Sequence, residues 1–163
     1  MNRFVQALAQ IIQNETELHR QLLQAAEDKR VAIISGDIAA MENSLNREYD
    51  LVEKVEAQEQ TRIALVEKMA EMLQIADRPV TMALLLEKLP ANLAATLTPV
   101  RAELRALLDK LRFRTRQNAE LLKASMEHVN AFMEMIARAG EVKTYSRKGL
   151  VERQQVRLFD RSA

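Results

Sequence analysis

The chain has 163 residues, with 24 Lys+Arg against 23 Asp+Glu, three Gly, three Pro, no Cys and no Trp. So few turn formers disfavour sheet-rich folds and glycine-loop nucleotide sites, and the missing Cys removes disulfides, thiolate nucleophiles and Cys-based zinc motifs. A net charge of +1 gives no overall pull on nucleic acid or anionic lipid. No apolar run approaches the roughly 20 residues of a membrane span, and no signal peptide is recognised at the start. A cytoplasmic, all-α protein is the expectation.

In chain order, Gly36, Pro79, Pro90, Pro99, Gly140 and Gly149 leave unbroken stretches 1–35, 37–78 and 100–139. Each is rich in Ala, Leu, Glu, Gln, Lys, Arg and Met, the residues that lose least in a helix. Ser35-Gly36-Asp37 reads as a helix stop followed by an N-cap. Thr98-Pro99 reads as a cap followed by proline at the first helical position. Segment 80–89 predicts one short apolar helix that caps one end of the bundle.

The first stretch places Phe4, Leu8, Ile11, Glu15, Leu18, Leu22, Ala25, Lys29 and Ala32 at alternating steps of four and three. The second does the same from Ile38 through Leu45, Val52, Glu59, Arg62, Val66 and Met69 to Ala76, and the third from Val100 through Leu111, Asn118 and Val129 to Ile136. This period marks coiled-coil-like seams. A tight turn folds the first two helices antiparallel, and the third is expected to return beside them. The prediction is an elongated antiparallel bundle of three long helices plus one short one over 1–139, with a flexible C-terminal tail over 140–163.

Polar residues interrupt the seams. Facing positions across the two connections bring Glu15, Glu59, Arg62, Thr115 and Asn118 to one height, so a buried layer is expected in which Arg62 neutralises Glu15 or Glu59 and Asn118 completes the hydrogen bonding. Slipping that register would strand unpaired charge. A di-iron reading fails, because Thr16 and Ser125 stand three before His19 and His128 where Glu-x-x-His needs Glu. No metal, cofactor or catalytic residue is expected.

After Gly140 the heptads stop, and the tail carries six basic residues against three acidic. It also holds Val142, Tyr145, Gly149, Leu150, Val151, Val156, Leu158 and Phe159. Such a segment suits folding on contact with a partner. Tyr145 and Phe159 are the only aromatics among its basic residues, so nucleic acid is a poor partner.

These residues resemble the FlgN family of flagellar type III export chaperones. The resemblance rests on Glu15 ahead of the Leu18–Leu23 run, Ala26-Glu-x-Lys-Arg30, Ile33–Ile34 before the Ser35-Gly36-Asp37 turn, Glu59-x-x-Arg62, Asn118 before Leu121-Leu122, and Thr144-Tyr145 with Gly149. One departure is Thr115, where the family often has asparagine. The resemblance implies a cytoplasmic, non-catalytic chaperone that binds the C-terminal helical segment of the hook–filament junction proteins (hook-associated proteins one and three). It further implies use of the chaperone's own C-terminal region and docking to the cytoplasmic domain of the export gate. The rival expectation is a coiled-coil adaptor or oligomeric scaffold: a closed monomeric bundle with a binding tail favours the chaperone, two open hairpins pairing across a homodimer favour the scaffold, and the sequence leaves dimerisation open.

Overall fold

The computed structural model describes residues 1–76, 79–139, 144–145 and 151–152. The elements are α1 (Asn2–Ser35), α2 (Ile38–Met72), α3 (Met82–Lys88), α4 (Ala91–Ala139), β1 (Thr144–Tyr145) and β2 (Val151–Glu152). The chain divides into two compact units, Met1–Ala119 and Glu120–Ala163, so α4 supplies helix to both. The long helices form the expected all-α bundle.

Gly36 ends α1 in the left-handed region at φ 70°. Its N–H donates to the Ile33 carbonyl and that of Asp37 to Ala32, the paired bonds of a Schellman stop. Asp37 then caps α2, its carboxylate accepting from the Ala40 N–H at 2.9 Å. Two successive residues therefore close one helix and open the next, and α2 folds back along α1. Buried positions on this pair include Ala9, Ala25, Ala26, Ala32, Ser44 and Ala70. Small side chains let two helix axes approach closely. Within the first unit α4 meets this pair through side chains that include Leu97 and Leu104.

The main core joins Val5, Leu8 and Ile12 of α1 to Val66 and Met69 of α2, Leu85 of α3 and Leu97 of α4. Val5, Leu8, Met69, Leu85 and Leu97 are fully buried. Each such side chain contributes about 1.5–3 kcal/mol of transfer free energy. The short helix α3 is capped by Thr81, whose hydroxyl accepts from the Leu84 N–H at 3.2 Å. It delivers Leu85, with Leu89 just after it, into this core at the start of α1 and the end of α2.

Two boundaries differ from the sequence expectation. α2 stops at Met72 rather than 78, because Gln74 takes the left-handed conformation (φ 55°) that elsewhere falls to glycine. Its N–H reaches the Glu71 carbonyl and that of Ile75 reaches Ala70, a second Schellman stop. α4 begins at Ala91, with the Pro90 carbonyl accepting from Leu93 and Ala94, so Pro99 lies inside the helix. Thr98 is no cap: its hydroxyl donates to the Ala94 carbonyl at 2.8 Å. Proline here forgoes one bond to Ala95, while burial of Leu97 holds the turn on either side of it in the core.

Not every seam position is covered. Ile38 and Val52 on α2 are exposed, as are Leu122, Val129, Phe132 and Ile136 on α4. Beyond α4, β1 and β2 pair antiparallel in the register Thr144↔Glu152 and Tyr145↔Val151.

Candidate partner-binding site

Two places hold the residues singled out from the sequence. The first is a polar cluster inside the first unit. Glu15 is buried, and Arg62 donates from Nε to Glu15 Oε1 at 3.0 Å and from its terminal nitrogen to Glu59 Oε1 at 2.9 Å. Burial pushes the Glu15 carboxyl above its ordinary range. The Arg62 charge and hydrogen bond oppose that shift, Glu59 adds to it, and His19 works against it. The cluster borders a recess of about 270 Å³ lined also by His19, Val55, Leu104, Leu108 and Arg112.

Asn118 and Thr115 are not part of this cluster. Asn118 is buried against α1, its amide donating to the Ala26 carbonyl at 2.7 Å, and Thr115 is exposed. The reason is the helix boundaries: ending α2 at Met72 and starting α4 at Ala91 moves the facing partner by about four turns. Leu104 accordingly lines the recess where Asn118 was expected. α1 and α4 run parallel here, tied by Arg20–Glu103 at 3.0 Å and by Arg114–Glu27. The cluster has no nucleophile beside a base and joins helices rather than performing chemistry. Among the described residues no group of acidic and His side chains could hold a metal ion, and no helix is long and apolar enough to cross a membrane.

The second place is the helical part of the second unit. Leu122, Met126, Val129, Met133 and Ile136 recur at steps of four and three with Phe132 beside them, and each of the six is between 40% and 60% exposed. The charges of this segment sit together on another side of the helix and pair with each other: Lys123 with Glu127 at 4.0 Å and Arg138 with Glu134 at 3.5 Å. A continuous apolar helix face of this size is the kind of surface that marks a protein-interaction site. Three methionines (Met126, Met133 and Met135) lie on or beside it, and their unbranched thioethers adapt to differently shaped partners.

Of the tail residues expected to bind a partner, Tyr145 and Val151 are backbone partners in the β1–β2 ladder. Val142, Gly149, Leu150, Val156, Leu158 and Phe159 lie outside the described residues. Leu122, Val129, Phe132 and Ile136 hold positions of the third coiled-coil-like seam, and Met126 and Met133 lie off it. The available signal was the lack of any charge on that face over residues 122–136.

The family model described as FlgN protein matches residues 1–153. No curated protein and no solved structure matches the chain. With the match covering nearly the whole sequence, the chain belongs to the FlgN family, a family of flagellar export chaperones rather than of enzymes.

Proposed function

We propose that the protein works in the cytoplasm as an export chaperone for the hook–filament junction proteins, hook-associated proteins one and three. It holds their C-terminal helical segment before type III export and then docks to the cytoplasmic domain of the export gate. The single observation that carries this reading is the exposed apolar face of α4 over Leu122–Ile136. An unassembled junction protein presents an amphipathic helix whose apolar side self-associates. A second apolar helix face masks it by the helix-against-helix mode of recognition. At roughly 25 cal/mol per Å² the α4 face supplies on the order of 10 kcal/mol of gross burial energy, reduced by the cost of ordering both partners. The tail residues Val142, Tyr145, Gly149, Leu150, Val151, Val156, Leu158 and Phe159 then close over the bound helix. Release at the gate needs no hydrolysis by the chaperone.

Calorimetric titration with the C-terminal segments of the two junction proteins tests this. Val129→Glu/Phe132→Glu is expected to lower affinity at least a hundredfold with unchanged helical circular dichroism, since both side chains are exposed. Truncation to residues 1–139 is expected to weaken binding while leaving the melting temperature nearly unchanged. Wild-type affinity in both variants would overturn the proposal.

A further inference from the structure

The two exposed ridges of the first unit carry opposite charge with the same spacing. On α2, positions 42, 46, 49, 53, 56, 60, 64, 67 and 71 advance by threes and fours, so they form one line along the helix. That line contains Glu42, Glu53, Glu56, Glu67 and Glu71 and not one cation. All five glutamates are exposed. On α4, positions 101, 105, 108, 112 and 116 form a second line of four arginines around Leu108. Arg105, Arg112 and Arg116 are exposed and Arg101 is half-buried.

Among the described residues none of the five glutamates, nor Arg101, Arg105 or Arg116, has an ion-pair partner. Arg112 reaches only Asp109, at 3.6 Å and largely in solvent. Elsewhere in this unit the chain does pair its charges between helices, as Lys29 with Glu48 and Arg20 with Glu103 show. Among the described residues neither ridge makes such an interhelical pair.

Their spacing matches. Arg101 and Arg112, like Arg105 and Arg116, stand eleven residues apart; so do Glu42 and Glu53, and Glu56 and Glu67. Eleven residues are three helical turns, about 16 Å. Laid antiparallel, one arginine ridge meets successive glutamates of another chain's α2 without either helix bending.

We infer that the occupant of these ridges is a second copy of this chain. The α4 arginine ridge of each protomer docks on the α2 glutamate ridge of the other in a two-fold dimer. A two-fold axis uses both ridges of both chains and closes the assembly. Tyr49 and Val52, exposed on or beside the acidic ridge, and Leu108 on the basic one add apolar burial to the contact. Individual surface ion pairs are weak, so the dimer depends on the network and dissociates as salt screens it. This inference does not depend on the export role.

Sedimentation equilibrium of the full chain tests it. At 50 mM salt the mass is expected to be twice the 18.6 kDa of the chain, falling to one chain at 500 mM. Arg105→Glu/Arg116→Glu and Glu56→Arg/Glu67→Arg are each expected to be monomeric at low salt, with the dissociation constant raised at least tenfold. Mixed in equal amounts they are expected to dimerise again, because every ridge then meets its opposite. All four side chains lie outside the core and lack ion pairs, so both variants should keep wild-type circular dichroism. A wild-type monomer at low salt, a charge variant that dimerises alone, or a mixture that stays monomeric would each overturn the inference.

Discussion

Replacing Arg62 with methionine keeps the aliphatic stem and removes the one guanidinium that serves both Glu15 and Glu59. Glu59 is half exposed and loses little, but the Glu15 side chain is only 5% exposed and is left as a buried charge without a partner. Breaking a fully buried pair costs about 3–5 kcal/mol. Arg62 is itself a quarter exposed and the adjoining recess admits water, so the expected loss is about 2 kcal/mol at pH 7. For a chain of this length that lowers the melting temperature by about 4–8 °C. The loss depends on pH in a definite sense. Burial already raises the Glu15 carboxyl above its ordinary range, and the two largest opposing contributions, the Arg62 charge and hydrogen bond, are lost in the variant, which raises it further; His19 still works against the shift. A carboxyl with a raised folded-state value binds its proton more tightly when folded. Its penalty is therefore greatest above that value and shrinks as pH falls toward 4.5. Urea unfolding followed by circular dichroism at pH 7 and pH 5 measures both effects, and Arg62→Met/Glu15→Gln should recover most of the stability. If Arg62→Met matches the wild type at pH 7, or the double variant is no more stable than the single one, the buried-charge argument is wrong.

Other substitutions test the helix ends and the second buried polar residue. Gln74→Gly should stabilise the protein by about 0.5 kcal/mol, the relief of a left-handed side-chain conformation less the added freedom of the unfolded chain. Gly36→Ala should destabilise by about 1 kcal/mol although nothing lies within 4 Å of the added methyl, because φ alone carries the cost. Asp37→Ala removes the cap on the Ala40 N–H and should cost about 1 kcal/mol, read as a fall in urea midpoint with unchanged slope. Asn118→Leu should stay within about 1 kcal/mol of the wild type, since the Asn118 side-chain oxygen is buried without a donor and its loss offsets the lost bond to Ala26.

The helix class, the α1–α2 turn and the Glu15–Arg62–Glu59 cluster were legible because each rests on local chemistry or on the one tight turn that sets α1 against α2. Gly36 followed by Asp37 has few other uses than a stop and a cap, and Glu59 and Arg62 lie one turn apart on their own helix. What failed was long-range register. Gln74 carries no mark of a helix stop in its side chain: the stop is stabilised by Ile75, which is 6% exposed and anchors the chain beyond it. Pro99 carries the mark of a helix start but sits inside α4, where tertiary burial of Leu97 outweighs a missing hydrogen bond. Both misplacements act in the same direction, so the facing numbers shifted by about four turns and carried Asn118 to the wrong neighbour.

The same misplacement hid the candidate binding face. Starting the third long helix at residue 100 gives it 40 residues, close to the 34 of α1 and the 35 of α2, and every apolar seam position then has a place in the bundle. Starting it at Ala91 gives 49 residues, about 73 Å against about 52 Å for either neighbour. α4 belongs to the first unit only as far as Ala119, so its apolar positions from Leu122 onward fall in the second unit. Its heptads give no warning, because apolar residues repeat at threes and fours whether the covering surface belongs to the same chain or to a partner. Exposure separates the two cases: Leu104 is half-buried and Leu97 fully buried, while Val129 and Phe132 are more than half exposed. Over residues 122–136 the helix carries an exposed apolar side. That is the condition in which a partner's amphipathic helix gains most by docking, and it shifts the expected recognition surface from the tail alone to the last four turns of α4.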